Sequence, residues 1–152
     1  MGYAIRTANE RLLLEVLKLD VTDDKSVKEA IERIVNEQGK IDVLVNNAGY
    51  ALLGPLEDLS IQEVKEQFET NVFGVIRVTK EILPIMRRQL HGTIENISSI
   101  AGRIGFPLTS AYVSSKFALE GLSESIAYEV EQFGIKVILI EPGVIKTNFD
   151  KN

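Results

Sequence analysis

The chain has 152 residues, 45% of them apolar and 26% charged, which allows one domain with a hydrophobic core. A net charge of −5 argues against a nucleic-acid or anionic-membrane surface, because phosphate binding needs a basic face. The lack of cysteine excludes a disulfide framework and a thiol nucleophile.

The opening MGYAIRTANER has no apolar stretch of the kind that marks a secretory signal. No run approaches the ~20 apolar residues of a transmembrane helix, so the expected location is the cytoplasm. There is no repeat, low-complexity tract or linker, and residues 1–152 read as a single domain. LEVLKLDV (14–21) reads as a strand. In 23–38, Val27, Ala30, Ile31, Ile34 and Val35 share one helical face, and Gly39 closes the helix. IDVLV (41–45) is a short apolar strand. Ser60 and Glu63 form a capping box that opens a long helix. Its Val64, Phe68, Val72, Val75, Ile76, Ile82 and Met86 occupy more than one face, and Pro84 should kink or interrupt it. GTIENIS (92–98) is a third strand. A third helix starts at Thr109 or Ser110 and runs to about Phe133, and IKVILIE (135–141) is the fourth strand.

Strands alternating with helices predict an α/β fold with a parallel sheet of about four strands and three main helices, covered on both faces. Such sheets bind ligands beyond the carboxyl ends of their strands. Asp20, NNAG (46–49), Ser98–Ser99 and EPG (141–143) all fall at strand ends. Each is an ordinary turn when taken singly; together on one rim they point to a site.

Tyr112 and Lys116, in YVSSK, stand four apart and share a helix face. A free tyrosine is a poor base at neutral pH, and a nearby ammonium favours its phenolate. Tyr112 could then exchange a proton with an alcohol or carbonyl oxygen, with Ser99 at a neighbouring strand end. The plainer reading is a half-buried tyrosine beside a solvated lysine. His91, the only histidine, reads as a solvated loop residue, and no cluster has metal-ligand spacing.

From about residue 14 to 149 the chain resembles the classical short-chain dehydrogenase/reductase family. The resemblance is carried by LDVTD (19–23), LVNNAG (44–49), TNVFG (70–74), NISSIAG (96–102), YVSSK (112–116) and PGVIKT (142–147), in the family's order and spacing. It implies a partial, Rossmann-like, doubly wound parallel sheet, and NAD(P)-dependent hydride transfer between an alcohol and a carbonyl of a small-molecule substrate. Tyr112 would be the acid/base. Lys116 would lower its pKa and bond the nicotinamide ribose. Ser99 would orient the substrate oxygen. Asn71 would bend the long helix and hold a water leading from Lys116 to solvent. For the cofactor, NAD or NADP, the resemblance implies adenine contacts from Asp20 and Val21. Asn47, Ala48 and Gly49 would lie near a ribose. Ile145 and Thr147, after Pro142 and Gly143, would meet the carboxamide or phosphates. Helices 60–83 and 110–133 would form a homodimer or larger assembly. Glu95 departs from the pattern, since an apolar residue is usual there.

The family's glycine-rich T-G-x-x-x-G-x-G turn, which holds the pyrophosphate, matches nothing in the chain, and the family's substrate loop would follow Asn152. The expectation is a member truncated at both ends, with weak cofactor binding and little turnover alone. A competing expectation is a non-catalytic protein that keeps the helix pair as an oligomer surface. Without its neighbour, strand 14–21 would slide onto IDVLV, or a second chain would cover the gap.

Overall fold

The structure, a computed structural model, describes residues 15–145. Most of the elements expected from the sequence are present. Helix α1 is Asp24–Gln38, and its N-cap Asp23 accepts from the backbone N–H of Lys25 and Ser26. Gly39 ends it in the left-handed conformation, at φ 74°. Strand β1 is Val43–Asn46. Helix α2, Ile61–Phe68, starts at the complete Ser60–Glu63 capping box. A π-helical turn, Glu69–Phe73, joins it to α3, Gly74–Gln89. The long helix is therefore interrupted around Asn71, while α3 runs on through Pro84. Strand β2 is Gly92–Ile97, helix α4 is Ser110–Val130 and strand β3 is Ile135–Ile140.

The sheet is parallel throughout, in the order β1-β2-β3. This is an α/β, Rossmann-like arrangement with three strands among the described residues. The expected strand at 14–21 is not formed over 15–21, and Leu14 lies outside the described residues. A strand exists only where a neighbour completes its hydrogen bonds. Here the local turn competes instead: Asp20 accepts from Thr22 through its carboxylate and from the Asp23 N–H through its carbonyl. Leu19 does reach the groove beside the β1 edge, along with Ile31, Ile34 and Val43, but makes no ladder with it.

The core lies between the sheet and α1, α3 and α4. Val27 and Ile31 of α1, Val78, Ile82 and Met86 of α3, Ile94 of β2, Val130 of α4 and Ile135 of β3 pack as one cluster. Period-two alternation puts Val43, Val45, Glu95, Ile138 and Ile140 on the other side of the sheet. Val43, Val45, Ile138 and Ile140 are exposed, so the described helices cover one face and leave the second open. That accommodates Glu95: its carboxylate stands on the open face, between Val45 and Ile138 in register, rather than in a dry layer.

Candidate active site

The carboxyl ends of the three strands make a single rim. The parallel ladder continues past the strands: the Ser98 N–H donates to the Ile140 carbonyl at 2.8 Å, and the Ile100 N–H to the Pro142 carbonyl at 3.1 Å. These bonds place the Ser99 loop beside the Pro142–Ile145 segment. Asn47 and Ala48 are exposed at the end of β1, and Gly143 and Ile145 lie exposed or open after β3.

Helix α4 is tied to this rim by Lys116. Its Nζ donates to the Ile97 carbonyl, the last of β2, at 2.7 Å. The same nitrogen lies 5.7 Å from the centre of the Tyr112 ring. Lys116 is buried, and burial pulls its ammonium down from 10.5 to about 8, against the carboxylate of Glu120, which raises it. At neutral pH it remains mostly charged. An ammonium has three donors, and the Ile97 carbonyl takes one of them. The solvated-lysine reading of YVSSK is thus excluded.

Asn71 holds the other side of the pair. In the π-helical turn it donates to the Tyr50 carbonyl at 3.0 Å and to Ser115 Oγ at 3.1 Å, and it accepts from the Tyr50 N–H at 3.2 Å. Ser115 in turn donates to the Tyr112 carbonyl at 2.7 Å. A chain of bonds therefore runs from the residue after NNAG, through Asn71, to the helical turn that carries Tyr112. Gly49 fits closely here, since a Cβ would come within 3.1 Å of Asn71 Oδ1. Ser99 caps the 3₁₀ turn Ile100–Gly102, its Oγ accepting from the Ala101 N–H at 3.1 Å. Its neighbour Ser98 is buried and committed to Glu120. Of the two serines, Ser99 is the one not sunk into the core.

Two of the sequence candidates stand apart. Asp20 is exposed, and its bonds with Thr22 hold its carboxyl below the usual carboxylate range. It lines an open depression with Lys18, Asp23 and Ser26. Val21 packs against Gly74, where a Cβ would sit 2.8 Å from Val21 Cγ2. Thr147 lies outside the described residues.

Sequence reading missed several residues that build the site from beneath. Gln67 is buried; it accepts from the Leu52 N–H and donates to the Tyr50 carbonyl, both at 2.7 Å. Asn46 and Asn96, register partners in β1 and β2, join through their amides at 2.8 Å. Thr79 and Ser123 extend that buried line into α3 and α4. The available signal was spacing: Gln67 and Asn71 are i and i+4, and Glu120 continues the row of Tyr112 and Lys116.

A family model described as short chain dehydrogenase matches residues 4–152. The chain belongs to the short-chain dehydrogenase family. Within the family it is similar to the 3-ketodihydrosphingosine reductase of Bacteroides thetaiotaomicron, with 48% identity over 139 residues, 91% of this chain and 52% of the relative. A solved short-chain dehydrogenase from Streptomyces avermitilis superposes with a TM-score of 0.84 at 44% identity, over 90% of this chain and 50% of that one. ElxO with NADP bound superposes with a TM-score of 0.82 at 42% identity, over 84% and 52%. The chain thus spans about half the length of the relatives it matches.

Proposed function

We propose that this short-chain dehydrogenase chain carries the proton-transfer half of an NAD(P)-dependent oxidoreductase acting between an alcohol and a carbonyl. The observation that carries the reading is the buried Lys116 ammonium, fixed by the Ile97 carbonyl and set 5.7 Å from the Tyr112 ring. A charge in that place favours the phenolate of Tyr112. A bound nicotinamide dinucleotide would supply the hydride acceptor or donor. In alcohol oxidation Tyr112 takes the hydroxyl proton as the carbon loses hydride, and in reduction it returns that proton to the carbonyl oxygen. Ser99 orients the same oxygen. Asn71, through Ser115, fixes the turn of α4 on which Tyr112 stands. The Bacteroides relative, named as a reductase of a 3-keto compound, supports this substrate class. The ElxO neighbour supports the cofactor class.

The residues present fit a dinucleotide in part. Lys116 has donors left for ribose hydroxyls, and Asn47, Ala48 and Gly143 leave open backbone along the rim. Among the described residues no glycine-rich turn is present to meet the pyrophosphate. A helix dipole contributes ~0.3–2 kcal/mol to an anion, and each hydrogen bond to a charged group ~1.5–3 kcal/mol. Losing several weakens binding by powers of ten, since ~1.4 kcal/mol is tenfold. The 152-residue chain should therefore bind NADH or NADPH in the millimolar range. Calorimetry with wild type and Lys116→Met tests this. Saturable millimolar binding, weakened several-fold by the substitution, is expected. Binding that ignores Lys116, or none at all, overturns the reading.

The same proposal includes a second copy of the chain as partner. Phe117 and Tyr128 lie three turns apart on one exposed face of α4, and Ile61 and Phe73 are exposed around α2, which packs on α4. Such an apolar row favours an isologous helix-pair interface.

A further inference from the structure

Glu120 lies one turn beyond Lys116 on α4, and its carboxylate is buried with the core. Burying a carboxylate is costly unless it is paired and hydrogen-bonded, and nothing in the packing of this helix requires one there. Four elements converge on it. Ser98 Oγ, at the end of β2, donates to Oε1. Oε2 is, among the described residues, the buried side-chain oxygen without a hydrogen bond. What faces it is the guanidinium of Arg103, at 3.3 Å. Arg103 follows the Ser99 loop, and it also donates to Glu141 Oε1 through Nε at 3.0 Å and Nη2 at 2.8 Å. Glu141 opens the segment that continues to Pro142 and Ile145. Glu124, the next turn of α4, lies 3.9 Å from Arg103. Finally, the Gly102 backbone closes over the carboxylate. A Cβ at Gly102 would sit 2.8 Å from both Glu120 Oε1 and Ser98 Oγ, closer than side chains approach.

We propose that Glu120 is a positioning residue: clamped by Ser98, Arg103 and the Gly102 backbone, its buried carboxylate locks the Ser99 loop to α4 and supplies the counter-charge for the Lys116 ammonium. Through Arg103 and Glu141 the same clamp reaches the segment after β3. It deepens the reading above, because Lys116 matters to proton transfer only through Tyr112. The charged groups coupled to Glu120 are Lys116 on its own helix and Arg103 from the loop, and Arg103 is shared with Glu124 on α4 and Glu141 at the end of β3. Lys116 is in turn sensitive to Glu120, whose charge opposes the effect of burial on it.

The test follows the Lys116 side-chain resonances of the whole chain through a pH titration, with Lys116→Met to assign them. Glu120→Gln keeps the size and the Ser98 contact but removes the charge, and Glu120→Asp keeps the charge. In Glu120→Gln the Lys116 midpoint should fall clearly below that of wild type, and in Glu120→Asp most of that fall should be recovered. A midpoint unmoved by Gln, or moved equally by Asp, overturns the proposal. Should Glu120→Gln not fold, the exposed Arg103→Gln is read instead. Removing the competing cation should raise the Lys116 midpoint, and no rise overturns the proposal. This titration needs no bound nucleotide, so its failure is separate from a failure of the oxidoreductase reading.

Discussion

Lys116 holds a positive charge where a neutral side chain would be more comfortable. Burial outweighs the carboxylate of Glu120, and the ammonium releases its proton at about 8 rather than 10.5. The sign of the stability effect follows from proton counting. Between about pH 8 and 10.5 the unfolded chain still binds a proton at Lys116 and the folded chain does not. Stability therefore rises with pH across that window, by up to about 3 kcal/mol, and the full cost is present below it. Lys116→Met removes the group, so the difference in stability between variant and wild type should shrink as pH rises from 8 to 10.5. Urea unfolding at several pH values measures this, and taking the difference cancels the four tyrosines. A difference that stays flat would mean that the amine is solvated.

Among the elements, the π-helical turn does the most for the site. Five residues, Glu69–Phe73, carry Asn71 inward between the loop at Tyr50 and helix α4. Asn71→Ala leaves the Tyr50 N–H and Ser115 Oγ short of a buried partner, at ~1–3 kcal/mol for each group left unsatisfied. A fall in the denaturant midpoint with unchanged slope is the expected result. Pi-bulges gather at functional positions, which agrees with that placement. The sequence showed α1, the capping box of α2, the extent of α4 and the strands β1 to β3, because caps, glycine stops and apolar periodicity are local signals. Local reading pointed to Pro84 as the break, since proline is the strongest local disruptor, and the family resemblance implied a bend at Asn71; the helix runs on through Pro84 and is interrupted at the π-helical turn around Asn71, where the demand is tertiary. The sequence also predicted a strand at 14–21 that, lacking its neighbour, would pair with IDVLV or be covered by a second chain; the described part of that segment forms no ladder, because the local turn at Asp20 takes its hydrogen bonds instead. The motifs put Tyr112, Lys116 and Asn71 forward as site candidates; Gln67 and Glu120 were not singled out, and Asn96 and Ser115 stood inside the quoted motifs without a role. Their role is fixed by what packs against α4, a helix with buried Ser115, Lys116, Glu120 and Ser123 on its inner side and no clean apolar stripe.

At the scale of the whole molecule, the apolar surface is not finished. Phe117 and Tyr128 on α4 should be covered in a homodimer, and Phe117→Glu with Tyr128→Glu should yield a monomer that melts close to the dimer's protomer. Light scattering at tens of micromolar decides this; a monomeric wild type removes the idea. A last consequence comes from the amides of Asn46 and Asn96. Parallel strands have no hairpin turn to set their alignment, and VLV in β1 resembles KVILI in β3 closely enough that either could settle beside β2 one step out of place. A slide of two residues would keep every apolar side chain on its own face, so greasy packing alone barely objects to it. The amide pair does object. In any other alignment of β1 on β2 the two buried carboxamides lose each other; Thr79 of α3 holds Asn46 at its place, and Ser123 of α4 holds Asn96 at its own. Those four polar groups spell out which rung of one strand belongs to which rung of the next. The rim beyond them, Ser99 and Asn47 included, is assembled only when that spelling is right.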